Sequence, residues 1–199
     1  MSYGFLLLIL RTNYFFILTI MIYPFIRANL DILFVGLNPA ETSSKKGHYF
    51  STRPNFWNQL YEAGLITESV NMNEADEKVF GSSEINHNGW QYGVTDLVNF
   101  WAESDSSEVK PTEEHCKELL QNIRKYKPKV VILLHSKVIK HFVKKHLNEN
   151  ARRGYLGKLL DGCNTVFYNV PFPHGNSIPS SEKIELYKEI KDLLEKYNC

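Results

Sequence analysis

Two polar side chains in this sequence stand where chemistry can happen. Asn38 lies in Gly36-Leu37-Asn38-Pro39-Ala40, and His174 in Pro171-Phe172-Pro173-His174-Gly175-Asn176-Ser177. Asn38 follows the apolar run Ile32–Val35, and Pro39 keeps it out of the α region, in an extended backbone. An amide both donates and accepts hydrogen bonds, carries no charge and is a poor nucleophile. That suits holding a water molecule or reading the polar edge of a ligand. An Asx-Pro turn closing a strand would use the same residues. A surface loop histidine would account for His174. The three cysteines, Cys116, Cys163 and Cys199, are widely spaced and form no C-x-x-C pair. That argues against a disulfide framework, a zinc site or an iron–sulfur cluster, so no metal and no other cofactor is expected. The phosphate-binding patterns G-x-x-x-x-G-K-[ST] and G-x-G-x-x-G are absent, and so is the hydrolase pattern G-x-S-x-G.

The elements that must hold these groups alternate along the chain. Ile32–Val35 reads as a strand buried on both faces. Phe56, Trp57, Leu60 and Tyr61 recur at helical spacing, with Gly64 placed to close the helix. Trp90–Val98 reads as a second strand and its exit. Thr112 is placed to cap a helix that carries Glu113 and Glu114 in its first turn and ends near Tyr126, before Pro128. Val130–Leu134 is the clearest strand, and Ser136 is placed to cap a helix running to about Leu147. Thr165–Val170 is a fourth strand. Ser181–Tyr197 carries one apolar stripe, Ile184, Tyr187, Ile190, Leu194 and Tyr197. The expectation is an α/β fold: a three-layer sandwich with a central, mostly parallel four-stranded sheet flanked by helices. Ligands bind such sheets outside the carboxyl ends of the strands, where the Asn38 and His174 loops would lie.

Composition bounds the rest. The chain has 199 residues, 43% hydrophobic and 23% charged, with a net charge of +1. One compact domain is expected, and any contact with nucleic acid must come from a local basic patch. Candidates are Lys137, Lys140, Lys144 and Lys145 on one helix, and Arg152, Arg153 and Lys158 in the loop after it; a solvated face would look the same. The first 22 residues form an apolar segment. It is long enough to span a bilayer but is interrupted by Arg11. It reads as a membrane anchor, an extra helix packed on the domain, or the product of a start assigned upstream of Met21. The domain is expected over residues 23–199.

From about Tyr23 onward, the chain resembles the uracil-DNA glycosylase superfamily, and most of all its mismatch-specific uracil/thymine branch. Gly36-Leu37-Asn38-Pro39-Ala40 resembles the first motif of that branch. Gly47-His48-Tyr49-Phe50 and Pro54-Asn55-Phe56-Trp57 resemble its base-pocket loop and the helix start that follows. Tyr92-Gly93-Val94-Thr95-Asp96-Leu97-Val98 resembles a strand exit of the family, and Phe172-Pro173-His174-Gly175-Asn176 stands in the place of its second motif.

The resemblance implies an enzyme that flips a damaged or mismatched base, uracil above all, out of double-stranded DNA and hydrolyses its N-glycosidic bond. It implies that Asn38 holds the attacking water and that backbone N–H groups around Ala40–Thr42 stabilise the base oxygens. Tyr49 or Phe50 would stack on the base, and Asn55 would bond the pocket loop or the base edge. Gly36, Leu37, Pro39, Ala40 and His48 would complete the pocket. His174 would donate to the leaving base or to a phosphate. Gly175, Asn176, Ser177 and Ile178 would meet DNA near the gap left by the flipped base. The second motif departs from the family's Asn-Pro-Ser or His-Pro-Ser, and its wedge would be polar. A monomer working in the cytoplasm at the nucleoid is expected. Two other readings remain: a non-catalytic nucleic-acid-binding relative, or an enzyme acting on a small nucleotide or sugar.

Overall fold

The computed structural model describes residues 22–197. The apolar segment before Ile22 and Cys199 lie outside the described residues, so the readings made for them stay as expectations. Five strands form one sheet: β1 (Ile32–Gly36), β2 (Tyr92–Asp96), β3 (Val130–Leu133), β4 (Gly154–Gly157) and β5 (Val166–Asn169). Their order is β2-β1-β3-β5-β4. The first four in that order run parallel, and β4 is antiparallel to β5. The architecture is the expected α/β one, with one strand more than the sequence suggested.

The parallel strands are apolar throughout because both faces are covered. Ile32, Phe34, Tyr92, Val94, Val130, Ile132 and Tyr168 point to one core. There they meet α2 (Pro54–Glu62) through Phe56, Trp57 and Leu60, and α5 (Ser180–Tyr197) through Ile184, Tyr187, Ile190 and Leu194. Leu33, Val35, Val131, Leu133 and Phe167 point the other way. They meet α3 (Glu113–Tyr126) through Cys116, Leu119 and Ile123. On the same face they meet α4 (Ser136–Val138), which continues as a π-helix over Ile139–His146 and contributes Val138, Ile139, Phe142 and Val143. The strand period of two thus builds a three-layer sandwich.

Local chemistry sets most boundaries as expected. The Thr112 hydroxyl accepts from the His115 N–H, and His115 Nδ1 accepts from the Thr112 N–H at 3.0 Å, so α3 opens on a reciprocal cap. Three details differ. His135, not Ser136, caps α4: its Nδ1 accepts from the Lys137 N–H at 3.0 Å. Tyr61 and Tyr197, read as apolar stripe positions, are exposed at their helix surfaces. β4 lacks an apolar run: it is a short edge strand bounded by glycines, with a register irregularity between Tyr155 and Gly157.

The consequence for function lies in the register. Gly36 pairs with Asp96, Val35 with Leu133, and Leu133 with Asn169. All four parallel strands therefore release their loops at one edge of the sheet.

Candidate active site

A cleft of about 1000 Å³ opens at that edge. Its lining includes Gly36–Ala40, Ser43, Tyr49, Phe50, Arg53, Asp96, His135 and the loop residues His174, Gly175, Asn176 and Ile178. Asn38 is held from the far side of its amide. Its Nδ2 donates to the carbonyls of Trp101 (3.2 Å) and Glu103 (2.8 Å) and lies 2.9 Å from that of Pro39. The Glu103 N–H in turn donates to the Pro39 carbonyl at 3.0 Å. Three carbonyls around the nitrogen fix the orientation of the amide. Oδ1 makes no hydrogen bond among the described residues, so Asn38 can offer the cleft only an acceptor. Just beyond it, Ala40 caps the short helix α1 (Glu41–Lys46) with no side-chain bond. The N–H groups of its first turn therefore lack intrahelical partners.

The pocket loop is nailed down by Asp76. Its carboxylate accepts the Tyr49 N–H (2.7 Å) and pairs with His48 Nδ1 (2.9 Å). His48 consequently faces Asp76 and lies outside the cleft lining; it positions the loop. Phe50 adopts a left-handed φ of 53°, and its carbonyl accepts from Trp57 Nε1 (3.2 Å) and the Arg53 N–H (2.9 Å). Phe56 stacks on the Phe50 ring with centroids 3.9 Å apart, and Phe50 lines the cleft. Of the two rings expected to stack, Tyr49 is the more buried: the residue is 4% exposed and its ring is set edge-to-face on Phe25, which leaves Phe50 as the more open candidate. Asn55 is exposed in the first turn of α2 and does not line the cleft: Pro54 starts the helix and turns the next side chain to solvent.

Asp96 is the residue that sequence reasoning passed over. It sits at the carboxyl end of β2, buried, with its Oδ1 over Gly36: a Cβ built on Gly36 would lie 2.2 Å from that oxygen. Its Oδ2 is buried and makes no hydrogen bond among the described residues. Burial raises its pKa from 3.8 to about 7. The nearby Tyr49 hydroxyl is likewise buried and unpaired, and burial followed by the charges of Asp96 and Asp76 keeps it protonated. The sequence carried no signal for it: Gly36 faces Asp96 only through the register of β1 against β2, which the fold supplies.

His174 brings a third unpaired atom to the same cleft, Nε2. Desolvation first, then the charges of Arg53 and Lys183, lower its pKa, so the ring is neutral at pH 7. Asn176 lines the cleft as well, with its amide folded into its own loop. Its Nδ2 donates to the carbonyls of Phe172 (2.7 Å) and His174 (3.1 Å), and its Oδ1 accepts from the Ile178 N–H (3.2 Å). Gly175 and Ile178 line the cleft, while Ser177 is exposed and outside it. Of the basic residues, Lys140, Lys144, Arg152 and Arg153 reach the cleft. Lys137 does not: its Nζ is committed to the carbonyls of Ser106, Ser107 and Val109. Among the described residues, no cluster of three or more His, Cys, Asp or Glu side chains is placed to hold a metal ion.

The cleft thus lies at the carboxyl ends of a parallel sheet, between an Asn-Pro loop and a Pro-His-Gly loop, with an aromatic pocket wall. The protein-family model described as the uracil DNA glycosylase superfamily matches residues 23–192, so it spans every element that builds this cleft. The chain belongs to the uracil DNA glycosylase superfamily.

Proposed function

We propose that the protein is a monofunctional DNA glycosylase that takes a flipped base, uracil above all, into this cleft and hydrolyses its bond to deoxyribose. Membership of the superfamily supports glycosylase-type activity with DNA as substrate. One observation carries the finer reading. Tyr49, Asp96 and His174, all residues of the wall that also holds Asn38, each carry a buried polar atom without a hydrogen bond among the described residues: Oη, Oδ2 and Nε2. Orphaned polar atoms are costly, and three beside one cleft fit a polar ligand that satisfies them as the wall adjusts to it.

In this reading the Asn38 Oδ1 accepts a hydrogen from water and aims the water's lone pair at C1′. Asp96, ionised, stabilises positive charge on the sugar and takes the proton as the water attacks. The C1′–N bond breaks and its electron pair leaves with the base. His174, neutral with hydrogen on Nε2, donates to the base oxygen as negative charge gathers there. Phe50 offers a fixed face for stacking. Lys140, Lys144, Arg152 and Arg153 lie on the cleft wall where the strand's phosphates would pass. The first motif favours the mismatch-specific branch. The catalytic unit is taken as residues 23–199, acting as a monomer at the nucleoid.

The test is direct. Uracil-containing duplex, uracil-containing single strand, a G·T mismatch duplex and free nucleosides are each incubated with the protein, and released base is measured. Release from DNA alone supports the reading. Release from free nucleosides alone would make it a nucleoside-processing enzyme, and binding without release a non-catalytic relative.

A further inference from the structure

The loop leaving β2 displays Phe100 and Trp101, 51% and 49% exposed, with Tyr23 edge-to-face on Phe100 at 6.1 Å. Apolar rings of this size are normally buried or covered, and Phe100 is moreover held at a left-handed φ of 63°. A bulky residue persists in that region only when its surroundings enforce it. Here they do. The Trp101 carbonyl accepts from Asn38 Nδ2, the Glu103 N–H and carbonyl bind Pro39 and Asn38, and Lys137 ties down the loop at Ser106, Ser107 and Val109. The aromatic display is thus tied to the side-chain amide of Asn38 and the carbonyl of Pro39.

We infer that Phe100 and Trp101 form a stacking platform for the base next to the flipped nucleotide. This rests on the glycosylase reading above and adds a second contact to it. Three observations select a nucleobase as occupant. The Trp101 carbonyl is one hydrogen bond from the residue assigned to C1′, which sets this loop at the rim of the cleft, next to where the neighbouring nucleotide of the same strand would lie. The cleft lining sets Arg53, Lys140, Lys144, Arg152 and Arg153 against two acids, Asp96 and Glu103, a basic balance that suits a polyanion. On the opposite wall, the Asn176 amide is committed to its own loop and leaves no free polar wedge to fill the gap. A base that loses its neighbour to flipping has one bare face, and an aromatic ring covers it regardless of sequence.

Trp101 also supplies the readout, because Trp57 and Trp90 are buried. The full chain is titrated with a short oligothymidylate, which needs no excision to bind, and fluorescence and iodide quenching are followed. Binding is expected to quench the emission and to protect it from iodide. Trp101→Phe should bind comparably without the signal. Phe100→Ala with Trp101→Ala should weaken binding about 10- to 100-fold, with an unchanged melting temperature, since both side chains are exposed. Unchanged affinity of the double variant, or persistent iodide quenching in the saturated complex, overturns the platform and leaves the glycosylase reading standing. Emission already shielded from iodide in the free full chain, and exposed in a chain starting at Met21, would assign the patch to the chain's own N-terminal segment and also overturn it. Absence of binding together with absence of base release would instead remove the underlying reading.

Discussion

At the residue scale, the site rests on an amide and an acid with opposite legibility. Asn38 was readable because Pro39 fixes its backbone and a strand delivers it to the sheet edge. Asp96 was not, because an aspartate after a strand is ordinary until packing shows its carboxylate buried over a glycine. Asn38→Ala should lower single-turnover excision at saturating enzyme by about 100-fold or more, since it removes the acceptor for the water, and should also weaken DNA binding, since it releases the Trp101 and Glu103 carbonyls; single-turnover base release and a binding assay check the two halves. Asp96 predicts a pH profile. Its pKa of about 7 means that excision rises with pH through neutrality as the carboxylate ionises, and Asp96→Asn should flatten that limb and abolish most activity. Stability moves the other way. Between pH 3.8 and about 7 the folded state holds the proton that the unfolded state releases, so Asp96 contributes a loss of stability as pH rises through that window. At pH 8 the Asn variant should therefore melt higher than the wild type, while at pH 3 the difference should vanish.

At the element scale, four parallel strands and the long helices were legible because burial on both faces writes continuous apolar runs and capped stripes. β4 was not, since Gly154–Gly157 owes its place to pairing with β5 and carries no pattern of its own. The capping of α4 by His135 was missed for a related reason: the imidazole acts as a cap only because the cleft wall orients it, edge-to-face with Phe172 at 6.1 Å. The close fit between β1 and β2 gives the sharpest prediction here. Gly36→Ala would drive a methyl group into Asp96 Oδ1, and overpacking of this kind destabilises by about 1–3 kcal/mol. Thermal melts should show that loss, and combining it with Asp96→Ser should restore much of the stability but not the activity.

At the scale of the molecule, no helix among the described residues is long and apolar enough to cross a membrane, and Ile22 already lies in the core. A chain starting at Met21 is expected to keep its melting temperature and excision rate; insolubility or a large drop in melting temperature would make the upstream segment part of the fold. Charge reversal is expected to act more widely: Lys140→Glu with Lys144→Glu should weaken DNA binding and flatten its dependence on salt, measured by titration at several ionic strengths. The strand order carries a further consequence, for synthesis. β1 sits between β2 and β3, and its partners begin only at Tyr92 and Val130. As the chain leaves the ribosome, Ile32–Gly36 must therefore wait, apolar and unpaired, until about half of the chain has been made, and for its second partner until about two thirds. Folding can close around it only late, and the growing chain depends on chaperones or on speed to keep its first strand from pairing with a stranger.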